Sequence, residues 1–517
     1  METNGSSRSV WMATAAMPLF QPLPGDTQAS VCVIGAGIAG LTCAYLLSLE
    51  GKDVVLIDAL GVGAGETGRT TAHFFPPDEW YAGLEKSFGA DRTRMVAAGF
   101  AEATHRVEWI VGQEDIDCGF ERLDGYLFAR PENAFKALDL EYDAARRAGV
   151  AARLLPHVPD LAFDTGPCVR YPNLAQFHPL RYLAGLADAF IRRGGRIYGH
   201  TRALDVARSG AVRTVATNRG KVRASAVVVA TNTPFNDRFV MHTKQAGYRT
   251  YVVGLSVPKN TVPRILLWDT GDPYYYVRLA TPQPDFGRDV LIVGGSDRKV
   301  GQDVRPEDRW AEVEQWARQH FPLAEGIAYR WSGEVMEPAD GLAYLGRNPL
   351  DGEGSYIITG DSGNGMTHCT LGAMIVTDLI MGRDNVWAEL YDPARKAIHG
   401  LGDFVSEQAN VLARYGEWLT RGQRESLEAI RPGEAAVVRE GARKLAAYRD
   451  TEGELHVVSA KCSHLGCVVH WNSAERSWDC PCHGSRFGID GEVLHGPAMM
   501  SLDAITPAER EKVKSSR

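Results

Sequence analysis

The stretch Val31–Asp58, VCVIGAGIAGLTCAYLLSLEGKDVVLID, reads as one strand, glycine turn, helix and second strand. Val31–Ile34 is a short apolar run of the kind buried on both faces of a parallel sheet. Gly35, Gly37 and Gly40 follow in G-x-G-x-x-G spacing. Leu41–Leu49 continues as a helix, and the next strand, Val54–Asp58, ends on a carboxylate eighteen residues after Gly40. Glycines at this spacing recur by chance in a glycine-rich chain, so the flanking strand and helix and the acidic Asp58 give the motif its weight. Gly35 makes the tight turn, Gly37 lets backbone approach a pyrophosphate, and Gly40 lets the helix lie on the strand. The helix N-terminus offers unpaired N–H groups to an anion, and Asp58 accepts from a ribose hydroxyl. The stretch predicts an α/β dinucleotide-binding domain.

The rest of the 517 residues organise around this unit. At 44 % hydrophobic and 23 % charged residues, the chain is neither a disordered tail nor a coiled-coil rod. Its 56 Lys and Arg against 64 Asp and Glu give a net charge of −8, the wrong sign for a nucleic-acid partner. Ala29–Leu49 is uncharged and long enough to suggest a membrane span, but its glycines sit at a strand–helix junction. Met1–Leu23 has no basic segment leading into an apolar one, as a signal peptide would. The expected protein is cytoplasmic, without a membrane span.

Composition divides the chain into a proline-containing arm (1–28), an oxidoreductase-like region (29–400), a connector (401–421), a strand-rich domain (422–504) and a polar tail (505–517). Helical stretches at Phe100–Val111, Ala134–Ala148 and Leu180–Arg193 and strand-like ones at 226–230, 251–255, 274–277 and 291–293 suggest a substrate domain inserted over about 80–350.

Two glycine-rich segments choose between dinucleotides. GVGAGETGRTTA, Gly61–Ala72, follows Asp58 directly, and GDSGNGMT, Gly360–Thr367, joins a strand to a helix three hundred residues later. That spacing suits one long ligand held at both ends. Residues 28–400 resemble the D-amino-acid oxidase-like family of FAD-dependent oxidoreductases. The resemblance implies that the loop with Thr67, Gly68, Arg69, Thr70 and Thr71 runs beneath pyrophosphate and flavin, and that Ala203 and Thr231 face the dinucleotide. It also implies that Asp361 and the Gly365, Met366 and Thr367 backbone contact ribityl or ring oxygens. A helix N-terminus there would stabilise an anionic reduced flavin.

Nine cysteines are unevenly spread. Five are scattered, as small buried hydrophobes are; Cys462, Cys467, Cys480 and Cys482 crowd into twenty-one residues, with His464 and His470 among them and His483 directly after. Such a window reads as metal, either zinc or a histidine-ligated iron–sulfur cluster. C-S-H-L-G-C followed by C-P-C-H-G-S resembles the Rieske [2Fe-2S] module over residues 422–504. The resemblance implies Cys462, His464, Cys480 and His483 as ligands, a Cys467–Cys482 disulfide, and Gly496–Ala498 as the shielding loop. His470 and His495 are expected to be surface or packing histidines. Respiratory Rieske proteins place a Ser and a Tyr two residues apart beside the cluster. Here Ser485 is followed by Phe487, so one hydrogen-bond donor is missing and a lower potential is expected.

The combination predicts an α/β plus β architecture: a Rossmann-like FAD domain with an inserted mixed-sheet substrate domain, then a small all-β Rieske domain. The expected reaction oxidises a small molecule, by resemblance an amine or amino acid, and passes electrons singly through the cluster to an external protein or quinone. Arg278 is the candidate partner for a substrate carboxylate, with Tyr276 and His73 as further catalytic candidates. A non-catalytic redox sensor or electron carrier is the competing class. A Rieske oxygenase would need a 2-His-1-carboxylate iron site, and the sequence offers no such Asp/His pair; Gly360–Asn364 lacks the last glycine of a nucleophile elbow.

Overall fold

The computed structural model describes residues 3–130, 135–236, 241–280, 287–303, 305–349, 351–396, 409–441 and 443–505. The opening motif forms strand Thr27–Ile34, helix Ile38–Leu49 and strand Val54–Ile57. The two strands pair in parallel from Val31↔Val54 to Ile34↔Ile57. On the other edge Thr27–Ile34 pairs in parallel with Lys221–Val229, which pairs in parallel with Ser355–Thr359. Val33, Val55, Leu56, Val228 and Ile357 are wholly buried, as the apolar runs require. A Cβ on Gly40 would lie 1.8 Å from the Gly35 carbonyl oxygen, so only glycine lets this helix approach its strand.

A second, mixed sheet of nine strands carries the substrate half. Its longest strands are Gln245–Pro258, Arg288–Lys299 and, at the edge, Ile327–Pro338. The expected insertion over about 80–350 is not continuous. Arg196–Tyr198 and the strands from Ala203 to Val229 return to the dinucleotide sheet in the middle of it, and His73–Phe74 joins the substrate sheet before residue 80. Helices Ala90–Gln113, Phe135–Arg147 and Pro179–Arg192 occupy the three stretches read as helical.

The C-terminal domain is all β, with antiparallel sheets of three strands (Ala435–Glu440, Arg443–Arg449, Leu455–Ser459) and four (His470–Asn472, Ser477–Asp479, Arg486–Phe487, Val493–His495). The arm has more structure than its proline content suggests. Ser9 caps a short helix, Val10–Thr14, and donates to the Gly68 carbonyl at 2.6 Å, while Trp11 Nε1 donates to the Thr70 carbonyl at 2.6 Å. Burial of Val10 and Trp11 pins the arm under the glycine-rich loop. Residues 401–408 of the connector and 506–517 of the tail lie outside the described residues. Among the described residues no helix is long and apolar enough to cross a membrane.

Candidate functional site

One cavity runs from Asp58 and Arg202, past Gly35 and Gly37, to Thr70, Thr71 and Gly363–Met366. Gly35 has φ +103°, and a Cβ there would stand 2.4 Å from the Ala230 carbonyl oxygen. Thr67 Oγ1 accepts from Ile38 N at 3.1 Å and steadies the helix N-terminus. Asp58 accepts from Ala36, Leu60 and Gly61 N–H groups at 2.8–2.9 Å. Burial raises its carboxyl above the usual range; with four acceptor sites, it retains capacity for a ribose hydroxyl. Ala203 and Thr231 also line the cavity. Open glycine backbone, a free helix N-terminus and a carboxylate at one end fit an extended dinucleotide.

Gly40 and Gly68 serve packing: a Cβ on Gly68 would meet the Gly63 carbonyl oxygen at 2.6 Å. Thr367 donates to the Asn364 carbonyl at 2.9 Å inside its own helix turn. Arg69 borders the cavity, but its guanidinium turns away to Asn4, Ser7, Glu475 and the Ser332 carbonyl.

The far end of the cavity is lined by His73, Phe75, Asp78, Tyr274, Tyr276 and Asp297. Tyr276 and Thr250 hydroxyls are 2.8 Å apart, and Tyr274 donates to Asp297 Oδ2 at 3.2 Å. His73 Nδ1 is 2.9 Å from Thr71 Oγ1. Burial and then Arg278 push His73 well below its ordinary value, so the ring is neutral. Asp361 sits by the helix N-terminus, raised to about 6 by burial. Arg278 does not reach this space. Its guanidinium donates to the Thr71 and Ala72 carbonyls at 2.9 and 2.7 Å and to Phe177 O at 3.2 Å, beneath the loop. The expected carboxylate anchor instead holds the backbone of the glycine-rich segment.

In the C-terminal domain, Cys467 and Cys482 form the expected disulfide. It clips together the loop carrying Cys462 and His464 and the loop carrying Cys480 and His483. Cys462 and Cys480 are close enough for their sulfurs to share a hydrogen bond, and the His464 and His483 rings lie 5.1 Å apart. Buried His483 Nδ1 has no hydrogen-bond partner among the described residues. Two thiols and two imidazoles converging from two loops, with an orphaned ring nitrogen, fit a cluster with two cysteine and two histidine ligands. Ser485 Oγ accepts from Ala498 N at 3.0 Å and bonds the Cys462 sulfur. His470 pairs with Glu417 at 2.7 Å, away from the loops.

A family model described as FAD dependent oxidoreductase matches residues 30–379, and one described as Rieske [2Fe-2S] domain matches 417–506. The chain belongs to the FAD dependent oxidoreductase family. It is an FAD-dependent oxidoreductase with a C-terminal Rieske [2Fe-2S] domain. A Bacillus subtilis (strain 168) protein described as a Rieske 2Fe-2S iron-sulfur protein is 31 % identical over 502 residues, covering 96 % of this chain and 97 % of that one. Gamma-glutamylputrescine oxidoreductase of Escherichia coli (strain K12) is 26 % identical over 70 % of this chain and 86 % of its own length. Glycine oxidase from Geobacillus kaustophilus has the same fold, with a TM-score of 0.61 at 20 % identity over 71 % of this chain and 99 % of that one.

The flavin and Rieske domains share a buried polar seam that no sequence motif marks. Arg69 pairs with Glu475 at 3.3 Å, Arg249 with Glu334 at 3.4 Å and Arg486 with Asp479 at 3.3 Å, all with almost no exposed side chain. Asn4 of the arm joins it, donating to Glu66 Oε1 and accepting from Arg69. His495, expected as a surface or packing histidine, lies in the seam 3.5 Å from Glu334 and lines the flavin cavity with Leu494, Gly496, Ala498 and Met499. On the cluster side, His242 of the flavin domain stacks edge-on to His464. Sequence spacing could not find the seam, because Arg69 meets Glu475, and His242 meets His464, across hundreds of positions.

Proposed function

We propose that this protein oxidises the C–N bond of an amine or amino acid at the flavin and passes the electrons, one at a time, through the Rieske cluster to an external acceptor. FAD, when bound, supplies a two-electron acceptor, and the cluster a one-electron relay. Balance requires the substrate to lose two electrons and two protons to give an imine, which water hydrolyses. Two equivalents of a one-electron acceptor, a protein or a quinone, complete the cycle.

The observation that carries this reading is the shared wall of the cavity. The segment Leu494–Met499, which begins in the last strand of the Rieske sheet and bonds Ser485 beside the cluster ligands, also borders the flavin cavity. The histidine ligands face the flavin domain through His242. In this arrangement Thr70 and Thr71 shape the floor, Gly365 and Met366 present N–H groups at the helix start, and Tyr276 and neutral His73 bound the substrate space. Gene similarity to an amine oxidoreductase and a fold shared with glycine oxidase support the substrate class.

Anaerobic mixing with an amine and amino-acid panel tests the reading. The flavin absorbance should bleach and the cluster's electron paramagnetic resonance signal should then rise before any external acceptor is added. Bleaching without a cluster signal would refute the relay, and no bleaching with any compound would refute the reaction.

A further inference from the structure

The substrate end of the cavity carries acid without base. Asp78 and Asp297 both border it, close enough for the Asp297 charge to disfavour ionisation of Asp78. Buried Asp297 Oδ1 has no hydrogen-bond partner among the described residues. His73 is 8 % exposed and faces the same space, and its Nε2 also lacks a partner among the described residues. Tyr274 and Thr250 supply hydroxyls to Asp297, and Arg298 favours its charge from outside the cavity.

Cations that border the cavity are engaged elsewhere. Arg69 is bound to Glu475, and Arg202 stands at the Asp58 end, donating to the Val493 carbonyl at 3.0 Å. Arg278 does not border the cavity and is tied to the Thr71 and Ala72 carbonyls. Among the described residues no lysine borders the cavity. Asp78 is open to the cavity and Asp297 partly so, and a cation entering between two such carboxyls relieves their mutual repulsion. A carboxylate on the ligand would meet like charge at this end and, among the described residues, no unengaged cation bordering it.

We propose, resting on the amine-or-amino-acid reading above, that the substrate is an alkylamine cation without a carboxylate beside the amine, its ammonium held by Asp297 and Asp78. His73 Nε2 accepts a further N–H of the same group. The aromatic faces of Phe75, Tyr274 and Tyr276 suit the alkyl stem and the cation alike.

The test uses the FAD-loaded holoenzyme with n-butylamine, 2-aminobutyrate and butyrate, which share a carbon count. Binding is read by calorimetry and by perturbation of the flavin spectrum, separately from bleaching. The expected result is binding of n-butylamine at least tenfold tighter than of either carboxylate, and at least tenfold weaker binding of it by Asp297→Asn with FAD stoichiometry retained. Asp78→Asn, nearly isosteric, gives the same readout should Asp297→Asn fail to fold. Equal or tighter binding of 2-aminobutyrate, no detectable n-butylamine binding, or unchanged affinity in both variants would overturn the proposal. Binding of n-butylamine that is lost in the variants, but without bleaching, would uphold the cation site while refuting the oxidation reading.

Discussion

The His242 ring stands edge-on to the His464 ring, their centroids 4.9 Å apart and their planes 81° apart. His242 is 3 % exposed and comes from the flavin domain; it also lies 6.3 Å from His483. The histidine edge of the iron–sulfur centre is therefore covered by the protein's own flavin domain. Truncating a buried ring at this junction removes its packing and leaves a void, at about 2–4 kcal/mol. His242→Ala should show an earlier denaturant midpoint and easier proteolysis between the domains. An unchanged midpoint would mean the ring contributes no packing there.

Flavin binding should depend on open backbone at Gly37, which lines the cavity. Gly37→Val places branched carbons against Thr67 Oγ1, 3.0 Å from the Cβ position, and toward the anion site. Purified Gly37→Val should lose its yellow colour, with FAD content down at least tenfold, while the cluster still assembles. Stoichiometric FAD in this variant would overturn the assignment of the glycine turn.

The two imidazoles should be ligands. His464→Ala or His483→Ala should abolish the low-average-g signal that distinguishes histidine-ligated from all-cysteine clusters. Full iron occupancy with an unchanged spectrum after either substitution would show the donor set to be different.

Phe487 is wholly buried in the apolar cluster that contains Cys462 and Cys480. A hydroxyl placed there would favour the reduced cluster, which carries more negative charge. Hydrogen bonds to charged acceptors contribute about 1.5–3 kcal/mol, of which only the difference between redox states counts, about 1–2 kcal/mol. At ~59 mV per ~1.4 kcal/mol for one electron, Phe487→Tyr should raise the potential by roughly 40–80 mV. Ser485→Ala, which removes the hydroxyl on Cys462, should lower it by a similar amount. Protein-film voltammetry of both variants measures this; a shift only in Ser485→Ala would mean that a hydroxyl at 487 does not reach a sulfur.

The interdomain seam should be acid-labile in a defined window. Burial alone would raise the Glu475 carboxyl, yet Arg69, Arg249 and Arg486 together hold it at about 2 against an ordinary 4.5. A carboxyl lowered in the folded state stabilises fully above its unfolded value and loses that contribution as pH falls through its folded one. Stability worth about 3 kcal/mol should therefore disappear between roughly pH 4.5 and 2. Glu475→Gln, which strands Arg69, should cost about 3–5 kcal/mol at pH 7 and flatten the acid dependence in that window. Denaturant melts from pH 2 to 7 would show it, and parallel curves for both proteins would rule it out.

What the sequence determined is local. Residues Val31–Asp58 fix their own strand, turn and helix because glycine spacing and apolar runs act within a few residues. The two Cys/His loops likewise declare themselves, since a thiol and an imidazole two or three positions apart suffice to form each half of the site. Tertiary structure decided what depends on distant partners. Arg278, read as the partner of a substrate carboxylate, and Arg69, read in the ligand loop, both promise ligand contacts, yet one ended under the Thr71 and Ala72 carbonyls and the other against Glu475. A buried guanidinium goes wherever acceptors can replace its lost water, and those acceptors are supplied by chain more than two hundred residues away. The same reason places His495 and His242 between the two redox domains, a position no spacing along the chain could specify.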